Sequence, residues 1–327
     1  MTAVTNIETT TSIANCSTFI SSPPKALQSP QSQSQSKSII LRFWISQYRI
    51  TPKLYLWRDI GIGFLLASAL ILFGIRLLGD VYFEVGLGWP RHSKRKKDAA
   101  AGVASIVHAV ALVTSVGVLL WSQPYSPSGN TVKQSQETKD ATTALLQFCT
   151  GYMLYDVLGM VMDNWNTGGL TGGDGLFIAH HIATSFCMMS CQVIGAGHHS
   201  VLMLMFLGEL TNPLGSLHSI TRYAIQLEGP DTFWHTLHPY VEWAFAASYG
   251  VIRALVAPAF LIHMTFDLLG QGRENVPLFL SLIWLFLMWG VIVGSIPWTR
   301  EAIDMALDGV YVVKYNVDYD YGPRYEL

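Results

Sequence analysis

Residues 60–79 read IGIGFLLASALILFGIRLLG, and the fold class turns on this stretch. A helix of about 20 mostly apolar residues spans the hydrocarbon core of a bilayer. Lipid offers backbone groups no partners, so such a run crosses as a helix that satisfies its own hydrogen bonds. Six further runs repeat the pattern, at residues 99–121, 141–162, 176–196, 199–219, 238–262 and 277–297. The sequence therefore predicts an all-α, polytopic transmembrane bundle of about seven spans. Composition agrees. The 327 residues are 50% hydrophobic and 13% charged, about half the roughly 25% charge of a soluble domain.

The chain divides into four parts. Residues 1–57 form a polar tail rich in Ser, Thr, Gln and Pro, with the run SPQSQSQSKS, and are expected to be disordered. They hold no apolar signal-peptide core, and one acidic residue before Asp59, a composition that leaves an organelle transit peptide open. Residues 58–98 carry the first span and a basic loop, residues 99–297 the main membrane core, and residues 298–327 a C-terminal tail. The connections SQPYSPSGN (122–130), DNWNTGGLTGGDG (163–175) and QLEGPDTFWH (226–235) are short and polar. The GAGH turn at 195–198 is tight enough to make the fourth and fifth helices antiparallel neighbours. Trp57, Trp89, Trp121, Trp165, Trp234 and Trp298 fall near span ends, as an aromatic belt requires.

Arg91, Lys94, Arg95, Lys96 and Lys97 outweigh Arg42, Arg49, Lys53 and Arg58, which places the basic loop in the cytosol and the N-terminus in the lumen. Asn15 then lies in a lumenal glycosylation sequon, Asn-Cys-Ser. The net charge of −2 argues against a nucleic-acid partner. Of the four cysteines, Cys149, Cys187 and Cys191 sit in apolar segments and read as buried small side chains, while Cys16 lies in the tail.

Ionisable residues inside a membrane cost at least about 2.5 kcal/mol each on insertion scales and need a reason to be there. This chain places His108, Asp156, His180, His181, Glu209, Glu242 and Arg253 within its spans. In QFCTGYMLYDVLGM (147–160), helical spacing puts Cys149, Tyr152 and Asp156 on one face. In LFIAHHIATSF (176–186), His181 shares a face with Phe177 and Ser185, and His180 is turned by about 100°. Glu209, Asn212 and Ser216 form a polar stripe on the fifth span, where Pro213 is expected to kink the helix and free the carbonyl of Glu209. Glu242 and Arg253 are roughly 16 Å apart along the sixth helix. Neither can pair with the other, so Arg253 is expected to meet a carboxylate from another helix, or a lipid or CoA phosphate. A neutral imidazole held by a carboxylate acts as a general base or an acyl acceptor.

The chain resembles the TLC family, the TRAM, LAG1 and CLN8 homologues, which includes the ceramide synthases. The resemblance rests on ordered pieces across residues 90–297: SIVHAV (105–110), GYMLYD (151–156), HHIATSF (180–186) and GELTNPLGSL (208–217). HHIAT matches the HH-x-x-T opening of the family's central motif. It implies a six-helix core plus one N-terminal span, an endoplasmic-reticulum membrane, a lipid-sized cavity and, in the catalytic branch, acyl-CoA-dependent N-acylation. Ceramide synthases carry two acidic positions after the HH helix. Here Glu209 takes the first, Asn212 the second, and Ser216 stands where a further Glu is expected. No homeobox-like segment precedes the core. The chain looks more like the branch outside the ceramide synthases.

Three functions follow. The first is a lipid acyltransferase using acyl-CoA as co-substrate, with His180, His181, Asp156 and Glu209 catalytic, and Tyr152, Asn212, Arg253 and His108 binding substrate. It needs no tightly bound cofactor and no metal. The second is a non-catalytic lipid sensor or carrier, favoured by the missing acidic residue. The third is a metal-dependent lipid hydroxylase, prompted by the histidines at 180, 181, 198, 199, 218, 235 and 238. Against it, the H-x-x-H-H box is missing, and the two HH pairs lie roughly five helical turns apart. His198 and His199 read instead as interfacial residues at the tight turn. In every reading the partners are membrane lipids.

Overall fold

The computed structural model describes residues 62–123, 128–129, 134–165, 172–229 and 232–315, with side chains placed for all but a few at helix ends. The N-terminal tail, Asn15, Cys16, Trp57 and the flanking Arg42, Arg49, Lys53 and Arg58 lie outside the described residues. Among the described residues ten α-helices follow one another: α1 (Ile62–Val81), α2 (Lys94–Ser122), α3 (Gln136–Trp165), α4 (Gly172–Ile194), α5 (His198–Glu209), α6 (Asn212–Glu228), α7 (Phe233–Val251), α8 (Ala257–Leu269), α9 (Leu278–Gly294) and α10 (Ile296–Tyr315). Among the described residues there is no strand.

These helices join into seven stretches long and apolar enough to cross a membrane: Gly63–Gly86, Lys94–Ser122, Gln136–Asp163, Asp174–Ile194, His198–Glu228, Phe233–Leu269 and Leu278–Asp308. Each expected span has its counterpart, and the last three run longer than their apolar windows. The fifth span joins α5 to α6, the sixth joins α7 to α8 through a π-helical turn (Ile252–Val256), and the seventh joins α9 to α10. From residue 298, where a tail is expected, the chain continues as α10, packed along α7.

Helix α2 runs against α1, α3, α5 and α6, and α4 lies against α3, α5 and α9. Lipid gives helices no hydrophobic reason to associate, so the bundle holds by close packing and polar contacts. Gly151 on α3 is one such contact, since a Cβ there would lie 2.5 Å from the carbonyl oxygen of Leu65 on α1. Leu112, Leu146, Met153, Met188, Leu202, Leu261, Met264 and Trp284 are fully buried. Leu70, Leu78, Val193, Phe266 and Phe286 are more than two-thirds exposed and form the lipid-facing rim.

The turn between α4 and α5 works as its glycines dictate. Gly195 and Gly197 have φ of 66° and 75°, and a Cβ on Gly197 would stand 2.5 Å from the ring of Trp284. The turn folds His198 and His199 inward, and at this span end they are 1% and 2% exposed. Gln134 Nε2 donates to His198 Nε2 at 2.9 Å, and His199 Nε2 donates to Gln123 Oε1 at 2.7 Å.

Ion pairs hold α1 to its neighbours. Arg76 pairs with Asp163 on α3, and Lys96 on α2, 1% exposed, reaches Asp80 at 3.2 Å and Glu84 at 2.6 Å. Lys96 of the basic loop is thus a structural cation rather than an open one. Trp89 is also buried, stacked on Phe83 with ring centroids 4.6 Å apart and donating to Glu228 Oε1 at 2.8 Å. Trp121 is 78% exposed, as a belt residue would be. The side chain of Trp165 lies outside the described residues.

Candidate functional site

A cavity of about 650 Å³ opens among helices α2 to α10, a size that suits a small or chain-like ligand. Its wall carries Tyr152, His180, His181, Glu209, Asn212 and Arg253. Six of the eight residues expected to form a site therefore line one space. The other two, Asp156 and His108, are absent from its wall.

Asp156 stands behind His181. Its Oδ2 lies 3.1 Å from His181 Nε2, in ion-pair contact but out of line for a hydrogen bond. On the other side of the ring, His181 Nδ1 lies 2.9 Å from the carbonyl oxygen of Phe177. A carbonyl only accepts, so Nδ1 carries a hydrogen. Nε2 then carries a lone pair 3.1 Å from a carboxylate oxygen, a juxtaposition that one further proton on either partner stabilises. His181 is 3% exposed, so its polar atoms depend on protein partners.

His180 is placed differently. Its ring is 5.5 Å from that of His181 and turned by 82°, so the two imidazoles do not share a direction. It is half-buried on the cavity wall, and its ring contacts are with Phe177 and His181. His180 is thus the more accessible imidazole, while His181 is buried with Nδ1 held by the carbonyl of Phe177.

His108 is fully buried, stacked on Tyr152 with centroids 3.8 Å apart and planes 10° apart. Its Nδ1 lies 3.8 Å from Glu209 Oε2. It backs the site without touching the cavity, because Tyr152 stands in front of it and donates to Ser105 Oγ at 3.1 Å.

The fifth span breaks at Leu210–Thr211, and Pro213 sits in the first turn of α6, where its missing N–H is no loss. The break turns Glu209 and Asn212 toward each other: Asn212 Nδ2 donates to Glu209 Oε2 at 2.8 Å. An aspartate at 212 would place a second carboxylate there and could not donate when ionised. It is the carbonyl of Gly208, not of Glu209, that meets an outside partner, accepting from Arg253 Nη2 at 3.3 Å. The guanidinium lies 5.5 Å from the ring of Tyr249, and its Nε is buried without a partner. The expected carboxylate for Arg253 is not found among the described residues. The break in α5 has put a helix-end carbonyl in its place.

A second cluster lies on α6 and α7. Glu242 Oε2 is 3.2 Å from His218 Nε2 and 3.2 Å from His238 Nε2, and the two rings stack 5.0 Å apart. His218 also lines the cavity. In the sequence Glu242 and His238 lie on one span and His218 on the one before it. The usable signal was His238 and Glu242 at i, i+4 on one helical face.

The comparisons with known proteins agree with this architecture. Residues 99–304 match the TLC domain, and the chain belongs to this family, the TRAM, LAG1 and CLN8 homologues. It is similar to a TLC domain-containing protein of Arabidopsis thaliana, 26% identical over 218 residues, which are 65% of this chain and 76% of that one. No solved structure matches the chain. The protein is an integral, multi-pass membrane protein whose family ties it to membrane lipids.

Proposed function

We propose that this protein is an acyl-CoA-dependent lipid N-acyltransferase of the endoplasmic-reticulum membrane, outside the ceramide-synthase branch of its family. The observation that carries the reading is one half-buried imidazole, His180, set on the wall of an intramembrane cavity beside a second imidazole locked by Asp156 and Phe177.

The amine of the lipid acceptor attacks the thioester carbonyl of acyl-CoA. The C–S bond breaks as the C–N bond forms, and the amine proton passes through His180 to the departing thiolate. General acid–base help of this kind contributes on the order of 10²–10⁴-fold. The His181–Asp156 pair, net neutral with its shared proton, sets a polarised imidazole 5.5 Å from the ring of His180. Arg253, with a guanidinium nitrogen left over, suits an anionic group of the co-substrate. The Glu209–Asn212 pair, in place of two carboxylates, supports assignment outside the ceramide synthases.

A lipid sensor or carrier is the second reading, favoured by the burial of His181, which is 3% exposed. Purified protein in nanodiscs, given long-chain acyl-CoA and a panel of lipid amines, distinguishes the two. The acyltransferase forms an amide, detected by mass spectrometry, and the His181→Ala variant does not. Equal product from both proteins, or lipid binding by both without product, rejects it.

A further inference from the structure

We propose that His218, His238 and Glu242 form a binding site for a divalent transition-metal ion of the zinc(II) type. All three residues are buried, at 8%, 2% and 3% exposure, and one ligand atom from each lies within 4.8 Å of the others. Two imidazoles and one carboxylate make a donor set that suits zinc and its neighbours. A tetrahedral zinc ion with bonds of about 2.0–2.1 Å sets its ligand atoms about 3.3 Å apart. Glu242 Oε2 already stands 3.2 Å from both imidazole Nε2 atoms.

The hydrogen bonds around His238 sharpen the argument. Thr221 Oγ1 donates its proton to the carbonyl of His218 at 2.9 Å, so toward His238 Nδ1, 2.7 Å away, it acts as acceptor. Nδ1 therefore carries the ring hydrogen, and Nε2 presents a lone pair. That lone pair and Glu242 Oε2, 3.2 Å away, are both donor atoms for a metal ion placed between them. Metal-bound histidines are held in this way, the far ring nitrogen donating to a fixed oxygen and setting the tautomer. His218 is steadied by stacking on Phe245, with centroids 5.5 Å apart.

His238 and Glu242 are one turn apart on α7 and His218 projects from α6, so the ion clamps two helices. Three protein ligands leave a zinc ion one coordination position, which closed structural sites do not have. Because His218 belongs to the cavity wall, that position is open to water or to an oxygen of a bound lipid.

The cation that competes with a metal is a proton, which would make His238 an imidazolium, and the experiment separates the two. Full-length protein carrying no polyhistidine tag is purified in detergent, stripped with chelator, and titrated with zinc(II) and with cobalt(II). The expected result is one ion per chain and a cobalt visible spectrum of low-symmetry coordination, both lost in His238→Ala and Glu242→Ala. Thr221→Val leaves all three ligands in place and should weaken affinity by about 10–100-fold, so it decides the matter if the ligand variants do not fold. Wild-type protein that takes up no ion overturns the proposal. So does Thr221→Val or Glu242→Ala protein that binds as tightly as wild type.

Discussion

Replacing Asp156 separates two things that the Asp156–His181 pair does. The carboxylate fills the space at His181 Nε2, and it also demands a proton there. An asparagine can donate its amide N–H to the Nε2 lone pair, with Nδ1–H still directed at the carbonyl of Phe177. Asp156→Asn therefore keeps the ring satisfied and neutral, and should change stability by no more than about 1 kcal/mol, the net value of one hydrogen bond. Asp156→Ala leaves Nε2 buried and unpaired. His181 is 3% exposed, so the loss should be about 1–3 kcal/mol. Activity sorts the variants differently. Without the extra proton, acyl transfer should fall on the order of 10²–10⁴-fold in both. Thermal unfolding in detergent reads the first difference, and amide formation at saturating acyl-CoA reads the second. Asparagine protein as unstable as the alanine protein would refute the packing argument. Asparagine protein with wild-type activity would refute the proton.

Four further outcomes follow from the geometry. Gly197→Ala forces a side chain into a φ of 75° and against Trp284, and should lower stability by about 1–3 kcal/mol, seen as an earlier unfolding transition. Arg253→Met should raise the KM for acyl-CoA more than it lowers kcat, because the guanidinium is assigned to binding; a pure kcat effect contradicts this. Lys96→Met removes the cation between Asp80 and Glu84, and unfolding assays should show a loss of about 1–3 kcal/mol, since those carboxylates are only a third exposed. Glycosidase treatment should shift the mobility of wild-type protein but not of Asn15→Gln, and clipping of the tail from the cytosolic side of sealed vesicles would reverse the orientation.

The spans were legible because hydrocarbon imposes a single demand on sequence, a long apolar run, and the runs around Leu70, Val110 and Leu285 meet it. What the runs did not show is where helices extend beyond the lipid. Residues past 298 are polar enough to read as a tail, yet α10 lies along α7 through Ala302 and Met305, which pack against Ala246. The sharing of one face by Tyr152 and Asp156, and the divergence of His180 from His181, followed from 3.6-residue periodicity. Distances between helices did not. The stacking of His108 on Tyr152, which removes His108 from the cavity, depends on how α2 meets α3. The meeting of His218 with His238 depends on α6 folding back beside α7. Pro213 signalled a disturbance in the fifth span, but which carbonyl it released was set by the break at Leu210–Thr211 and by the reach of Arg253.

The central claim is that His180 handles the proton of an acyl-transfer reaction. It is tested most directly by thiol release from long-chain acyl-CoA, in nanodiscs with a lipid amine, comparing wild-type protein with His180→Ala. The account predicts amine-dependent release by wild type and a loss on the order of 10²–10⁴-fold in the variant, with acyl-CoA still bound. Release at the same rate from both proteins would contradict it.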